Sequence, residues 1–242
     1  MARYSASRVE RVLALLYTLF KYALFRPVCR VVFRPWVEGE ENIPATGGVV
    51  LAGNHLSAGD TFLLPAMITR RMTFPAKAEL FHQKGFGRAV SWFLKAVGQV
   101  PMDRSGGRAS ADGLRPIYEV LEQGGVVGIF PEGTRSHDGR LYRGRTGVAR
   151  LALGARVPVI PVGFVDTQFV PGLFGIPVMK RPGIRIGAPL DFSEHFGEID
   201  GSVYREVTDS VMSAIQELTG QEYVPVYSNS GRARQLPDET TA

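Results

Sequence analysis

The run Val49-Val50-Leu51-Ala52-Gly53 leaves this chain the fewest folding options. The turn-rich stretch ENIPATGG precedes it and the polar stretch NHLSAGD follows without a spacer, so it reads as a buried strand that opens the globular domain. Further strands are expected at Met72–Phe74, Val126–Phe130, Val157–Phe164 and Ile184–Ile186, alternating with helical segments around 61–70, 86–97, 108–123 and 145–155. Such alternation argues for a layered α/β or α+β fold. Pro116 inside the segment 108–123 predicts two short helices, or a proline placed in a first turn. Val203, Val207, Val211, Ile215 and Leu218 recur at helical spacing and predict a helix over 202–219, with Ser202 as its cap and Gly220 as its stop. After Pro225 the chain turns polar and aperiodic (SNSGRARQLPDETTA), which predicts a disordered tail.

Composition matters chiefly through charge. A chain of 242 residues that is 45% hydrophobic can bury one sizeable core, which excludes a disordered protein. Its one cysteine, Cys29, excludes an intrachain disulfide, and no Cys or His cluster has zinc-ligand spacing. The net charge of +5 favours an anionic partner. It is concentrated in residues 1–35, where Arg3, Arg8, Arg11, Lys21, Arg26, Arg30 and Arg34 face only Glu10. Within that segment the apolar stretch 12–25 is shorter than the ~20 residues of a spanning helix. Helical spacing gathers Arg8, Arg11, Thr18, Lys21 and Arg26 on one side and leucines and aromatics on the other, as in a helix lying in a membrane interface or, alternatively, an amphipathic helix packed on the core. A signal peptide fits less well, because Arg26-Pro27 and further basic residues stand where a small-residue cleavage site would be. Nucleic acid is disfavoured, since the charge lies beside an apolar helix and no strand interleaves basic and aromatic residues.

Four stretches could carry chemistry. In NHLSAGD, His55 and Asp60 are five positions apart, about 140° on a regular helix, so they meet only if the backbone turns through Ser57-Ala58-Gly59. Meeting, they would make a histidine base with an orienting carboxylate; otherwise Asn54 and Asp60 are caps beside a surface histidine. FPEGTRS, Phe130 to Ser136, follows a strand, where an α/β sheet places ligands; its backbone N–H groups around Gly133 and Thr134 and the Arg135 fork suit an anion, or it is an ordinary polar loop. VPMDRSGGR carries Arg104, and VPVIPVGF carries two prolines that belong at a strand start or bulge. Lys77, in FPAKAEL, faces an anion or pairs with Glu79 at the surface.

Taken in order and spacing, NHLSAGD, VPMDR, FPEGTRS and VPVIPV resemble the motif set of the lysophosphatidic acid acyltransferases, also called 1-acylglycerol-3-phosphate acyltransferases, over roughly residues 36–190. The resemblance implies an α/β domain over 36–224 with a mixed sheet flanked by helices, preceded by the basic amphipathic segment 1–35 and followed by the polar tail 225–242. It implies His55 as general base and Asp60 as its orienting partner, in a direct transfer of a fatty acyl group to the free sn-2 hydroxyl of lysophosphatidic acid, giving phosphatidic acid. Arg104, Glu132, Gly133, Thr134 and Arg135 match positions associated with binding the acceptor, with Lys77 a weaker contact; Pro161 matches the region linked to the donor or to packing. The oxyanion would be met by a backbone N–H or by Asn54. Phe62, Leu63, Leu64, Trp92 and Phe93 are expected to line an acyl tunnel or to belong to the core. The resemblance implies acyl-CoA or acyl carrier protein as the donor substrate, with no cofactor and no metal expected. The partners are a lysophospholipid and an anionic membrane surface, on whose cytoplasmic face the chain would sit as a peripheral or monotopic protein. Arg104 and Arg135 favour a phosphomonoester acceptor. Another lysophospholipid, glycerol 3-phosphate, a glycolipid, water as acceptor, or a non-catalytic membrane-binding protein are the alternatives.

Overall fold

The structure is a computed structural model and describes residues 18–77, 100–102, 111–172, 177–197 and 200–228. Its strands are β1 (Trp36–Glu38), β2 (Val49–Gly53), β3 (Met72–Thr73), β4 (Pro75–Lys77), β5 (Val100–Met102), β6 (Val126–Ile129), β7 (Leu141–Tyr142), β8 (Val159–Val165), β9 (Val170–Pro171), β10 (Pro177–Val178), β11 (Gly183–Ile186) and β12 (Tyr223–Val224). Its α-helices are α1 (Arg26–Val32), α2 (Asp60–Met67), α3 (Ala111–Glu122), α4 (Gly147–Ala155) and α5 (Gly201–Thr219). Six strands form one sheet in the order β1, β11, β8, β2, β6, β3, parallel throughout except where β11 meets β8. The chain is therefore α/β with a mixed sheet flanked by helices.

The two faces of the sheet follow from the pleat. Val50, Ala52, Val127 and Val159 pack with Leu114, Ile117 and Leu121 of α3, Val148 and Leu151 of α4, and Val207, Val211 and Ile215 of α5. Val49, Leu51, Val126, Ile160 and Val162 pack with Leu63, Leu64 and Met67 of α2. Burial on both faces is why β2 reads as an unbroken apolar run, and a one-residue slip of β2 would exchange its two faces.

Three local expectations are corrected. Pro116 lies inside a single helix, α3, described over Ala111–Glu122, where it removes the N–H that would bond the carbonyl of Asp112. Pro161 sits within β8, a central strand. Its carbonyl accepts from Gly187 N at 2.9 Å just past the end of β11, where a missing N–H costs one ladder bond. The cap position of α5 is held by Asp200, to which the Ser202 hydroxyl donates, and Gly220 closes the helix in the left-handed region (φ 67°).

The N-terminal segment is packed onto the domain from Lys21 onwards. The helical path passes through a π turn, Phe20–Phe25, directly before α1, and the wider turn admits Pro27, which has no N–H to give. Lys21, on the polar side of the helical projection, is 3% exposed, its ammonium donating to Ile68 O at 2.6 Å, just beyond the C-terminal end of α2. Cations suit that end of a helix, so Lys21 satisfies carbonyls that α2 itself leaves open. Cys29 is buried and Phe25 packs in the same cluster, while Leu24, Val28 and Val31, spaced i, i+4, i+7, face outwards at 55%, 47% and 75% exposure.

Burial, followed by the charge of Arg26, lowers the Lys21 ammonium to a pKa of about 8, while Glu40 opposes the shift. The unfolded chain then binds more protons above that pH, so stability rises as pH climbs from about 8 towards 10.5. Lys21→Ala should lose this rise and about 1–3 kcal/mol at neutral pH through the unsatisfied carbonyl, read from urea unfolding. An unchanged midpoint would show that the ammonium contributes nothing.

Candidate active site

The strands β2, β6 and β8 run parallel, so their carboxyl ends share one edge of the sheet. NHLSAGD leaves β2 there and FPEGTRS leaves β6 there, at the edge where open α/β sheets bind ligands. The backbone does turn through Ser57-Ala58-Gly59. Asp60, fully buried at the first position of α2, accepts three bonds on Oδ2: from Leu56 N at 2.7 Å, from Ser57 N at 2.8 Å and from His55 Nδ1 at 2.9 Å. Gly59 N donates to Ser57 Oγ at 2.8 Å, and that hydroxyl donates to Thr167 O at 2.6 Å, tying the turn to the end of β8. The imidazole stacks on Phe130 with centroids 3.9 Å apart and planes 11° from parallel. Its Nε2 has no hydrogen-bond partner among the described residues. A donor contact at Nδ1 leaves the lone pair on Nε2, the tautomer a general base needs.

The FPEGTRS loop clips His55 by its backbone. Glu132, 1% exposed, accepts His55 N on Oε1 at 3.0 Å and Tyr142 N on Oε2 at 3.0 Å, while Ser136 N donates to His55 O at 2.7 Å. Both oxygens of Glu132 are thus spent on the protein's own backbone, and its place is that of a clamp rather than a contact to ligand. Burial raises its carboxyl to a pKa of about 7 against the pull of those two N–H groups, with Asp60 and Asp138 adding to the rise. Gly133 adopts φ 77°, a conformation that favours glycine, and its N–H donates to Phe130 O at 3.0 Å, so that amide is not open to an anion. Thr134 is half-buried and Arg135 is exposed at the same edge. Lys77 ends β4, which pairs with β5; its side chain, Arg104, Trp92, Phe93 and the segment 86–97 lie outside the described residues.

Asn54 is excluded as an oxyanion donor. Its Oδ1 accepts Phe164 N at 2.7 Å, and its Nδ2 donates to Phe164 O at 3.0 Å and to Gln221 Oε1 at 2.8 Å, so the buried amide is fully engaged. Gln221, unforeseen in the sequence, also donates from Nε2 to Gly139 O at 2.5 Å and so links the residue before His55 to the loop after Glu132. No local signal marks a partner 167 positions away. Phe130 carried a weak signal, an aromatic closing a strand. Leu63 and Leu64 are core residues, whereas Phe62 is partly buried between Phe25 (6.0 Å) and Phe169 (6.3 Å).

The Acyltransferase family model matches residues 34–165. The 1-acyl-sn-glycerol-3-phosphate acyltransferase of Bacillus subtilis is 30% identical over 184 residues, covering 75% of this chain and 86% of that protein. The chloroplastic 1-acyl-sn-glycerol-3-phosphate acyltransferase BAT2 of Brassica napus is 33% identical over 132 residues, 54% of this chain. The chain spans only 37% of that plant protein's length. Among solved structures, the crystal structure of the 1-acyl-sn-glycerophosphate (LPA) acyltransferase PlsC from Thermotoga maritima superposes with a TM-score of 0.64 at 25% identity, covering 89% of this chain and 84% of that one.

The clamp generates a test. A carboxyl raised above its ordinary 4.5 keeps a proton in the native state that the unfolded chain releases, so stability falls as pH rises from there to about 7. The fall is on the order of 3 kcal/mol. Glu132→Gln should abolish that slope in urea unfolding compared between about pH 5 and about pH 8. A variant that keeps the wild-type slope would show that another group titrates.

Proposed function

Because the chain belongs to the acyltransferase family, we propose that it moves a fatty acyl group from an acyl thioester to the free sn-2 hydroxyl of lysophosphatidic acid, giving phosphatidic acid. The observation that carries this reading is the His55–Asp60 pair, with Nδ1 on the carboxylate and Nε2 turned away from it. The acceptor hydroxyl gives its proton to His55 Nε2 as its oxygen attacks the thioester carbonyl. The tetrahedral intermediate then collapses, the C–S bond breaks, and the thiolate recovers the proton from the imidazolium. Asp60 holds the ring and its tautomer and stabilises the imidazolium, while the Phe130 ring limits its rotation. No acyl-enzyme is needed. Arg135, exposed at the same edge, supports a phosphate-bearing acceptor. Acyl-CoA or acyl carrier protein is the donor.

The acceptor and product live in a bilayer. Among the described residues no helix is long and apolar enough to cross one. The outward stripe Leu24, Val28 and Val31 supports a chain that lies on the membrane and reaches its substrate from the surface, flanked by the exposed Arg30 and Arg34.

Two outcomes follow. Thiol release from palmitoyl-CoA should require lysophosphatidic acid and should fall about a hundredfold to ten-thousandfold in His55→Ala. Substantial acceptor-dependent turnover in that variant would overturn the general base, and release with another lysophospholipid alone would move the substrate. Val28→Asp with Val31→Asp should weaken sedimentation with phosphatidylglycerol vesicles at least about tenfold, since both apolar contacts are replaced by charges of the membrane's own sign. Unchanged sedimentation would reject this face as the docking surface.

A further inference from the structure

The polypeptide that follows Glu132 carries a basic cluster that the proton transfer does not use. The guanidinium carbons of Arg143 and Arg145 each lie 5.3 Å from the ring centroid of Tyr227, which is 43% exposed. Arg205 of α5 lies against the same segment. Arg205 is itself neutralised by Asp209 and donates from Nη1 to the carbonyl of Gly144, the residue between the two other arginines, at 2.7 Å. Further bonds pin the segment: Arg143 N donates to Val224 O and Val226 O, both at 3.1 Å, and Arg145 N donates to Pro131 O at 2.8 Å. The parallel pair β7 and β12 brings Tyr227 to this place.

Of the three guanidiniums only Arg205 has a carboxylate partner among the described residues, Asp209. Arg143 and Arg145 have no carboxylate partner among the described residues; the nearby acids Asp138 and Glu222 are engaged by Arg140. Two like charges held on one ring by a fixed backbone repel each other, and the ring quadrupole offsets only part of that repulsion. An anion would offset the rest. The place is next to the reaction: a Cβ on Gly133 would stand 3.1 Å from Cδ and Nε of Arg145, so the arginine lies along the residue that follows the Glu132 clamp. Only a glycine lets it do so without displacement.

Resting on the acyl-transfer reading, we infer that Arg143, Arg145 and Tyr227 form a binding site for the phosphomonoester of a substrate, either the acceptor headgroup or the 3′-phosphate of a coenzyme A donor. Two planar forks match the oxygens of a dianion and give it an orientation that a point charge does not. The tyrosine keeps the forks spaced and aimed.

The test is isothermal titration of the full-length protein with sn-glycerol 3-phosphate and, separately, with adenosine 3′,5′-bisphosphate. At least one probe should bind, and Arg143→Gln with Arg145→Gln should weaken it about tenfold or more at an unchanged thermal midpoint. Arg145→Lys, which keeps the charge and loses the fork, should fall between. Arg150→Gln, an arginine that lies 5.0 Å over Tyr204 outside the cluster, should bind as the wild type does. Weakening confined to glycerol 3-phosphate assigns the acceptor headgroup, and weakening confined to the bisphosphate assigns the donor. In turnover the matching KM should rise by the same factor with kcat little changed, and the donor case should show no rise with palmitoyl-dephospho-CoA. Failure of both probes to bind the wild type at millimolar concentration overturns the site. So does equal weakening by Arg150→Gln, which would mean diffuse surface charge. Binding that depends on Arg143 and Arg145 in a protein that transfers no acyl group would support the site and retire the acyl-transfer reading.

Discussion

One buried oxygen, Asp60 Oδ2, receives the Leu56 and Ser57 amides and the His55 ring nitrogen, and the remaining geometry of the site hangs on that convergence. A carboxylate removed from water needs such donors, and an acidic residue at the first position of a helix also meets the positive end of its dipole. Glu132 repeats the solution one loop away with the amides of His55 and Tyr142. Two buried acids thus do what a strand pairing would otherwise do. Between them and the Ser136 amide, the backbone of His55 is held on its N–H and its C=O and the side chain on Nδ1, leaving Nε2 without a hydrogen-bond partner among the described residues. The protein's own bonds thus fix where the imidazole stands, as the proposed general base would require.

How much of this was readable before the fold depended on the range of the interaction. The sheet strands expected at 49–53, 72–74, 126–130, 157–164 and 184–186 recur within a residue or two because pattern and burial agree along each one. The turn that brings His55 to Asp60 was legible because the helical alternative put the two residues apart. Side-chain commitments were not. Asn54 and Glu132 carry groups that suit an oxyanion or an acceptor, and nothing local says that Phe164, Gln221 and Tyr142 take them up first. A helical projection shows that Lys21 shares a face with other polar residues and not what the face meets; the open carbonyls beyond α2 are supplied 47 positions later. The place of Pro161 is hidden for a similar reason, since the end of β11 is a property of the partner strand.

The N-terminal segment joins the two halves of the proposed function mechanically. α2 has eight residues with Pro65 among them, far below the length at which a helix stands alone in water. Its first residue is Asp60, the carboxylate on which the His55 turn closes. Phe25 touches Phe62 near that end and Lys21 closes the other, so the segment from Lys21 to Val32 grips both ends of the helix that positions Asp60. The residues that make this grip, Lys21, Phe25 and Cys29, point away from Leu24, Val28 and Val31. An amphipathic helix usually buries one apolar face and gives its charges to water. Here the lysine is buried and the aliphatic stripe is outside, an inversion that leaves apolar area in water and that the proposed docking to lipid would remove from it.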